Sequence, residues 1–169
     1  MISLRQLAQP PGVLALLVSS NLKPDCTVDN FPEYAAEVHS LDASQQLHVR
    51  NLAFSIYQSQ RSPFPVRAVL SVGNADTALR LTGIQRSAME TEVSWKRARS
   101  GAMALRDELV QIAGHPSIAH MILIKALGIG AMHKVVQNAN TEVDMKRNRR
   151  VEYFLVRENV GLPNCACRN

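Results

Sequence analysis

Two short segments of this chain bring opposite charges to places where a small zwitterion could use them. Val72-Gly73-Asn74-Ala75-Asp76 sets a carboxylate just past an apolar run of strand length, and Val93-Ser94-Trp95-Lys96-Arg97-Ala98 sets a guanidinium in what reads as the opening turn of an amphipathic helix. An ammonium needs a carboxylate beside it, and a carboxylate is best held by the planar fork of an arginine. A cleft shared by Asp76 and Arg97 would therefore suit both ends of one amino acid. Each residue also has an ordinary structural role open to it: Asp76 can accept backbone N–H groups in a loop, and Arg97 can pair with Glu90 or Glu92.

Other chemistries are poorly supplied. The five histidines are scattered, with no His-Glu-x-x-His pattern, and Cys26, Cys165 and Cys167 are too few for an all-cysteine zinc site or a disulfide framework. The reading therefore includes no metal and no cofactor. Cys165 and Cys167 fall in a polar tail and read as unstructured thiols, with a disulfide to Cys26 as the alternative. Ser94 has no nucleophile motif around it, so no catalytic residue is assigned and an enzyme is not expected.

The 19 Lys and Arg against 14 Asp and Glu give a net charge of +5, which favours anionic surroundings such as cell-wall polymer, phosphate or nucleic acid. A nucleic-acid module would draw on Lys146-Arg147-Asn148-Arg149-Arg150. Aromatics are only 5% of the chain and none interleaves that run before Tyr153, so nucleic acid is not the expected partner.

The elements that must position Asp76 and Arg97 follow from period switches along a chain of 169 residues, enough for one domain with its own core. Gly12 to Val18 is an uncharged apolar run too short to cross a bilayer. With Val18-Ser19-Ser20 as a cleavage site, residues 1–20 would make a poor secretory signal; the alternative is an irregular extension with one added strand. Asp42-Ala43-Ser44-Gln45 resembles a capping box with Leu41 as a staple, and Val49, Leu52, Ala53 and Ile56 recur at helical spacing, predicting a helix over 43–59. Pro63 and Pro65 stop it.

Val66, Ala68, Leu70 and Val72 mark a buried strand ended by Gly73, and the polar stretch 74–91 reads as a long loop, with room for a turn of helix, of the kind that carries binding residues. Ala98, Ala102, Leu105, Leu109 and Ile112 form one apolar stripe, with Arg97 at its edge, closed by Gly114 and Pro116. Ile118 to Leu127 reads as a strand ending at Gly128-Ile129-Gly130. Asn140 and Thr141 can cap a short helix, and Val151 to Val156 is a last strand. Strands alternating with helices imply an α/β or α+β sandwich with helices on one side of a sheet.

The motifs together resemble the OmpA-like peptidoglycan-binding domain. That family's pattern runs Gly-His-Thr/Ala-Asp at a strand end, Leu-Ser-x-x-Arg-Ala in a helix, Gly-x-Gly at a strand end, and Asn-Arg-Arg-Val-Glu before the last strand. Here these stand as Gly73-Asn74-Ala75-Asp76, Val93-Ser94-Trp95-Lys96-Arg97-Ala98, Gly128-Ile129-Gly130 and Asn148-Arg149-Arg150-Val151-Glu152. The resemblance covers about residues 28–158, leaving 1–27 as an N-terminal extension and 159–169 as a tail.

It implies an α+β, OmpA-like two-layer sandwich, with a mixed β-sheet and helices packed on one face. It further implies non-covalent binding of the diaminopimelate in the peptide stem of Gram-negative peptidoglycan. Asp76 would take the ammonium and Arg97 the carboxylate, with backbone donors around Ala75 to Thr77; Asn74, Val93 and Arg149 complete the implied ligand-binding set. The implied partners are peptidoglycan, other envelope proteins and a second copy in a homodimer, and the implied place is the periplasm or cell envelope, at the outer membrane. Exposed ion pairs contribute only about 0.2–1 kcal/mol each, so retention would come from many repeated stems.

The chain departs from the pattern at Asn74 (histidine in the family), Val93 (leucine), Glu90 (asparagine) and Met145 (arginine), and the span from Asp76 to Arg97 is longer than usual. Asn74 and Glu90 support an alternative: an interaction module of a secretion or motor assembly that has lost wall binding.

Overall fold

The computed structural model describes residues 22–158. Four strands, β1 (Cys26–Val28), β2 (Val66–Gly73), β3 (Leu123–Gly128) and β4 (Val151–Arg157), form a sheet in the order β1-β4-β2-β3. The helices are α1 (Ala43–Ser59), α2 (Gly83–Ala113), α3 (Ile118–Met121) and α4 (Glu142–Asn148). β4 runs antiparallel to both β1 and β2, and β2 pairs with β3 in parallel from Ala68↔Leu123 to Gly73↔Gly128. A parallel pair needs a crossover connection, and α2 supplies it. Among the described residues no helix is long and apolar enough to cross a membrane.

Local chemistry explains the bounds of α1. The Asp42 carboxylate accepts the Gln45 N–H at 3.1 Å and caps the first turn. At the far end the Ser59 hydroxyl accepts the Val66 N–H at 3.1 Å, while the Gln60 amide donates to Val66 O at 3.0 Å, tying the turn to the start of β2. Val49, Leu52, Ala53 and Ile56 then face the sheet together with Leu105 and Leu109 of α2, and Val69 and Tyr153 close the core from the sheet side. Helices α1 and α2 thus cover one face of a mixed sheet, the α+β two-layer arrangement that the sequence implies.

Helix α2 presses unusually close to the strand ends. A Cβ on Gly73 would lie 1.9 Å from Ser94 O, and one on Gly128 would lie 2.5 Å from Trp95 N, so the two parallel strands meet the helix backbone with nothing between. Polar groups at this crossing find partners: Ser71 Oγ donates to Ala98 O at 2.9 Å and Tyr153 OH donates to Gly101 O at 3.0 Å.

Two elements differ from the sequence reading. The stretch 74–91 is not one long loop, because α2 already begins at Gly83 and the loop is confined to 74–82. Gln85, Arg86, Glu90 and Glu92 are the polar face of a helix whose first turns project past the core, and good helix formers outweigh the absence of an apolar stripe there. Arg97 therefore sits mid-helix, not in an opening turn. Likewise Ile118–Met121 is a helical turn and β3 starts only at Leu123. Pro116 stands just ahead of that turn and its carbonyl accepts the Ala119 N–H at 3.1 Å, whereas a short apolar run alone does not separate strand from helix.

β1 spans the expected boundary between residues 27 and 28. Residues 1–21, with the weak-signal reading, and 159–169, with Cys165, Cys167 and their pairing to Cys26, lie outside the described residues.

Candidate functional site

A small cleft, about 30 Å³ in volume, opens where β2 ends against α2. One wall is the loop after β2, through Ala75, Asp76 and Thr77; the other is α2, through Val93 and Arg97; Arg149 closes one side. Six of the seven residues expected at a binding site therefore share one cavity. Asp76 and Arg97, brought from segments on either side of the loop and the first turns of α2, face it together.

Asn74 does not line it. Side chains alternate along a strand, and Gly73 faces α2, so Asn74 points to the opposite side with Val72 and Glu152. There its amide donates to Glu152 Oε2 at 3.2 Å, and its Oδ1 is buried with no partner among the described residues. Its backbone still matters to the site: Asn74 N–H donates to Arg150 O at 2.8 Å and Asn74 O accepts from Arg97.

Arg97 is buried more deeply than its expected place at the stripe's edge, with 1% of its surface exposed. Its Nε–H donates to Ala35 O at 2.8 Å, Nη1 to Asn74 O at 2.9 Å and Nη2 to Pro32 O at 3.3 Å. The guanidinium also lies 5.2 Å from the centre of the Phe31 ring, a cation–π contact. It thus clasps the 31–35 segment to the end of β2. Burial pushes its pKa down from 12.5 to about 9; the Arg149 charge adds to that depression and Asp76 opposes it, so the group remains cationic at neutral pH. Neither Glu90 nor Glu92 pairs with it: Glu92 holds Lys96 at 2.6 Å, and Glu90 is engaged elsewhere.

Asp76 is held by a residue the sequence reading did not assign. Asn148, fully buried at the end of α4, donates from its amide to Asp76 Oδ1 at 3.0 Å and to Val136 O at 2.9 Å, while its carbonyl accepts the Val136 N–H at 2.9 Å. One side chain thereby fixes both the carboxylate and the loop after β3. Thr77 Oγ1 accepts from Lys134 on the same loop. Of the backbone donors expected around Ala75 to Thr77, the Ala75 N–H is taken by Gly130 O at 2.8 Å. Those of Asp76 and Thr77 remain as candidates.

Glu90 lines the cleft, but its Oε1 accepts the Ala78 N–H at 3.0 Å, and Arg86 Nε donates to Ala78 O and Leu81 O at 3.2 and 2.7 Å. The extra turns of α2 therefore pin the 74–82 loop. Arg149 makes a two-pronged pair with Glu142 at 2.7 and 3.2 Å, and its Nη2 lies 3.7 Å from Met145 Sδ. Its neighbour Arg150 is buried against Glu152 at 2.8 Å and supports the strand ends.

Glu33 and Tyr34 complete the wall and were not anticipated. The Phe31-Pro32-Glu33-Tyr34 cluster ahead of α1 was their only signal, and Tyr34 takes a left-handed backbone at φ 60°. The cleft thus presents three carboxylates, Glu33, Asp76 and Glu90, and two guanidiniums, one of them already paired. Such a set can hold an ammonium and a carboxylate a few bonds apart.

No protein-family model matches the sequence, and no curated protein matches it. Solved structures are similar at low identity, and two of them illustrate the likeness. The C-terminal domain of Helicobacter pylori MotB superposes with a TM-score of 0.50 at 17% identity, over 80% of this chain and 86% of that one. The peptidoglycan-associated lipoprotein from Burkholderia pseudomallei does so with a TM-score of 0.50 at 21% identity, over 79% of this chain and 91% of that one. Identity this low speaks to architecture, and the architecture of this chain is the OmpA-like fold.

Proposed function

We propose that this chain binds peptidoglycan non-covalently through the diaminopimelate of the peptide stem, and so anchors an envelope protein to the cell wall from the periplasmic side. The observation that carries the reading is that Asp76 and Arg97 line one cleft. It is supported by a fold shared with a structure whose name records association with peptidoglycan.

In this reading the ligand's ammonium sits on the Asp76 carboxylate, which Asn148 holds in place. The ligand's carboxylate reaches Arg97. A guanidinium has five N–H donors and backbone carbonyls take three, leaving one on each terminal nitrogen. Those two suit a two-pronged carboxylate contact. The N–H groups of Asp76 and Thr77 add donors, and the apolar side chain of Val93 packs beside the ligand's methylene chain. No bond is made or broken, and the cleft works as a clamp and not as an enzyme. Single-site affinity is low, and hold on the wall comes from many stems engaged by tethered copies.

One observation favours a second reading, an interaction module that has lost wall binding: Arg97 spends three donors on the protein's own backbone and is 1% exposed. Co-sedimentation with purified sacculi separates the two. The parent, Asp76→Asn and Arg97→Lys are compared after circular dichroism shows that each is folded. Wall binding predicts retention of the parent and loss in both variants. Equal retention of all three, or none by the parent, supports the second reading.

A further inference from the structure

The sheet has two apolar faces, and α1 and α2 cover only one of them. Val69, Ser71, Gly73 and Tyr153 face the helices, while Ala68, Leu70, Val72, Phe154 and Val156 face the other way and form a second apolar cluster with Ile129. Members of this second cluster are 0–7% exposed, as buried as the main core. Among the described residues, only Leu22 and Leu127 pack against it as partners, and Leu127 belongs to β3, in the sheet itself. No described helix lies over this face, yet water is kept from it within a single chain.

Leu22 shows where the cover comes from. It is the first described residue, and it lies on this cluster a few residues before β1. Asp25 is already tied to β4, its N–H donating to Tyr153 O at 2.8 Å and its carboxylate accepting the Leu155 N–H at 2.8 Å. The chain therefore enters the fold on this side. Four residues upstream of Leu22 ends Gly12-Val13-Leu14-Ala15-Leu16-Leu17-Val18, the longest uncharged aliphatic run outside the described residues. Fully extended it would span roughly 23 Å, close to the roughly 26 Å of the eight-residue strand β2 beneath. The other segment outside the described residues, 159–169, carries Pro163, three asparagines and Arg168 and offers little apolar area.

We propose that residues 12–18 lie over the sheet face formed by Ala68, Leu70, Val72, Phe154 and Val156, as a structural part of the folded protein. The inference does not rest on the wall-binding reading. It has a consequence for processing: cleavage after Val18-Ser19-Ser20 would strip an apolar face from its cover.

The test places a spin label on Gly12→Cys in the full chain, with Cys26, Cys165 and Cys167 replaced by serine, and reads amide signals by NMR. The proposal predicts strong broadening at Leu70, Val72 and Phe154, and none when labelled chains lacking the isotope are mixed with isotope-enriched unlabelled ones. Unbroadened signals in the labelled chain overturn it, as does broadening that appears in the mixture, which would make a second copy the cover. A second arm compares the parent with the Leu14→Asp, Leu17→Asp double variant. The proposal predicts a severalfold rise in hydrophobic-dye fluorescence and faster amide exchange at Leu70 and Phe154. Unchanged dye binding and exchange overturn it.

Discussion

Gly73→Ala tests the contact that sets the whole site, because Gly73 ends β2 where α2 crosses it. The added methyl would lie 1.9 Å from Ser94 O and 2.7 Å from Ala98 N, both backbone atoms that no side-chain rotation can move aside. Relief requires the helix to retreat by about 1 Å or more, and overpacking of this kind costs about 1–3 kcal/mol or more. Against this, alanine in an ordinary extended backbone gains about 0.4–1 kcal/mol over glycine by restricting the unfolded chain. With the cost at the upper end, because backbone has to move, the net loss is about 2–2.6 kcal/mol, which lowers the melting temperature by roughly 4–10 °C in a chain of this size. Ser94 and Arg97 move with the helix, so retention on sacculi falls too.

The control is Gly114→Ala, with a φ of 73° and no heavy atom within 4 Å of the new methyl. It costs about 1–2 kcal/mol in backbone strain but leaves Arg97 in place, so binding survives. Thermal unfolding followed by circular dichroism, with co-sedimentation, reads both. A Gly73→Ala protein that melts within about 1 °C of the parent would refute the close approach of α2 and the placement of Arg97 built on it.

Three further outcomes follow. Asn148→Ala removes no charge yet leaves the Val136 N–H and C=O without their partner and Asp76 without its orienting donor; stability drops by about 1–3 kcal/mol and affinity for diaminopimelate about tenfold, read by denaturant unfolding and calorimetry. Glu90→Gln keeps the acceptor for the Ala78 N–H and melts with the parent, whereas Glu90→Ala loses about 1 kcal/mol; loss of binding in Glu90→Gln alone would instead make Glu90 an ammonium partner. Burial, with Asp25 nearby, raises the Cys26 thiol from 9.0 to about 11. With Cys165 and Cys167 as serine, its alkylation at pH 8 runs about a hundredfold slower than that of an ordinary thiol and climbs about tenfold per pH unit toward 11. Because the unfolded chain loses this proton first, the thiol's contribution to folding is intact below about pH 9 and is lost between about 9 and 11.

Features encoded by neighbours in sequence were legible, and features made by distant segments were not. The Asp42 cap and the 3.6-residue spacing of Val49, Leu52 and Ile56 are local, and they place α1 at the bounds observed. The strands over Val66–Gly73 and Val151–Arg157 declare themselves by branched and aromatic content. The first turns of α2 were missed because a helix projecting beyond its core has no apolar stripe to announce it, and its charges resemble a loop. Asp76 and Arg97 were singled out by residue type and motif, and both line one cleft. Asn148 as the holder of Asp76 was not, since that contact joins positions 72 residues apart. The displacement of Asn74 from the cleft was readable in principle from strand alternation once Gly73 was known to face α2.

The central claim, that Asp76 and Arg97 grip the two ends of one amino acid, is tested most directly by NMR titration of the intact chain with meso-diaminopimelate, using lysine and glutarate as controls that each lack part of its charge pattern. The account predicts saturable shifts at the Asp76 and Thr77 amides and at the Arg97 Nε–H, weaker with either control and absent in Asp76→Asn. Shifts that never saturate, or that leave Arg97 and Asp76 untouched while the protein remains folded, would contradict it.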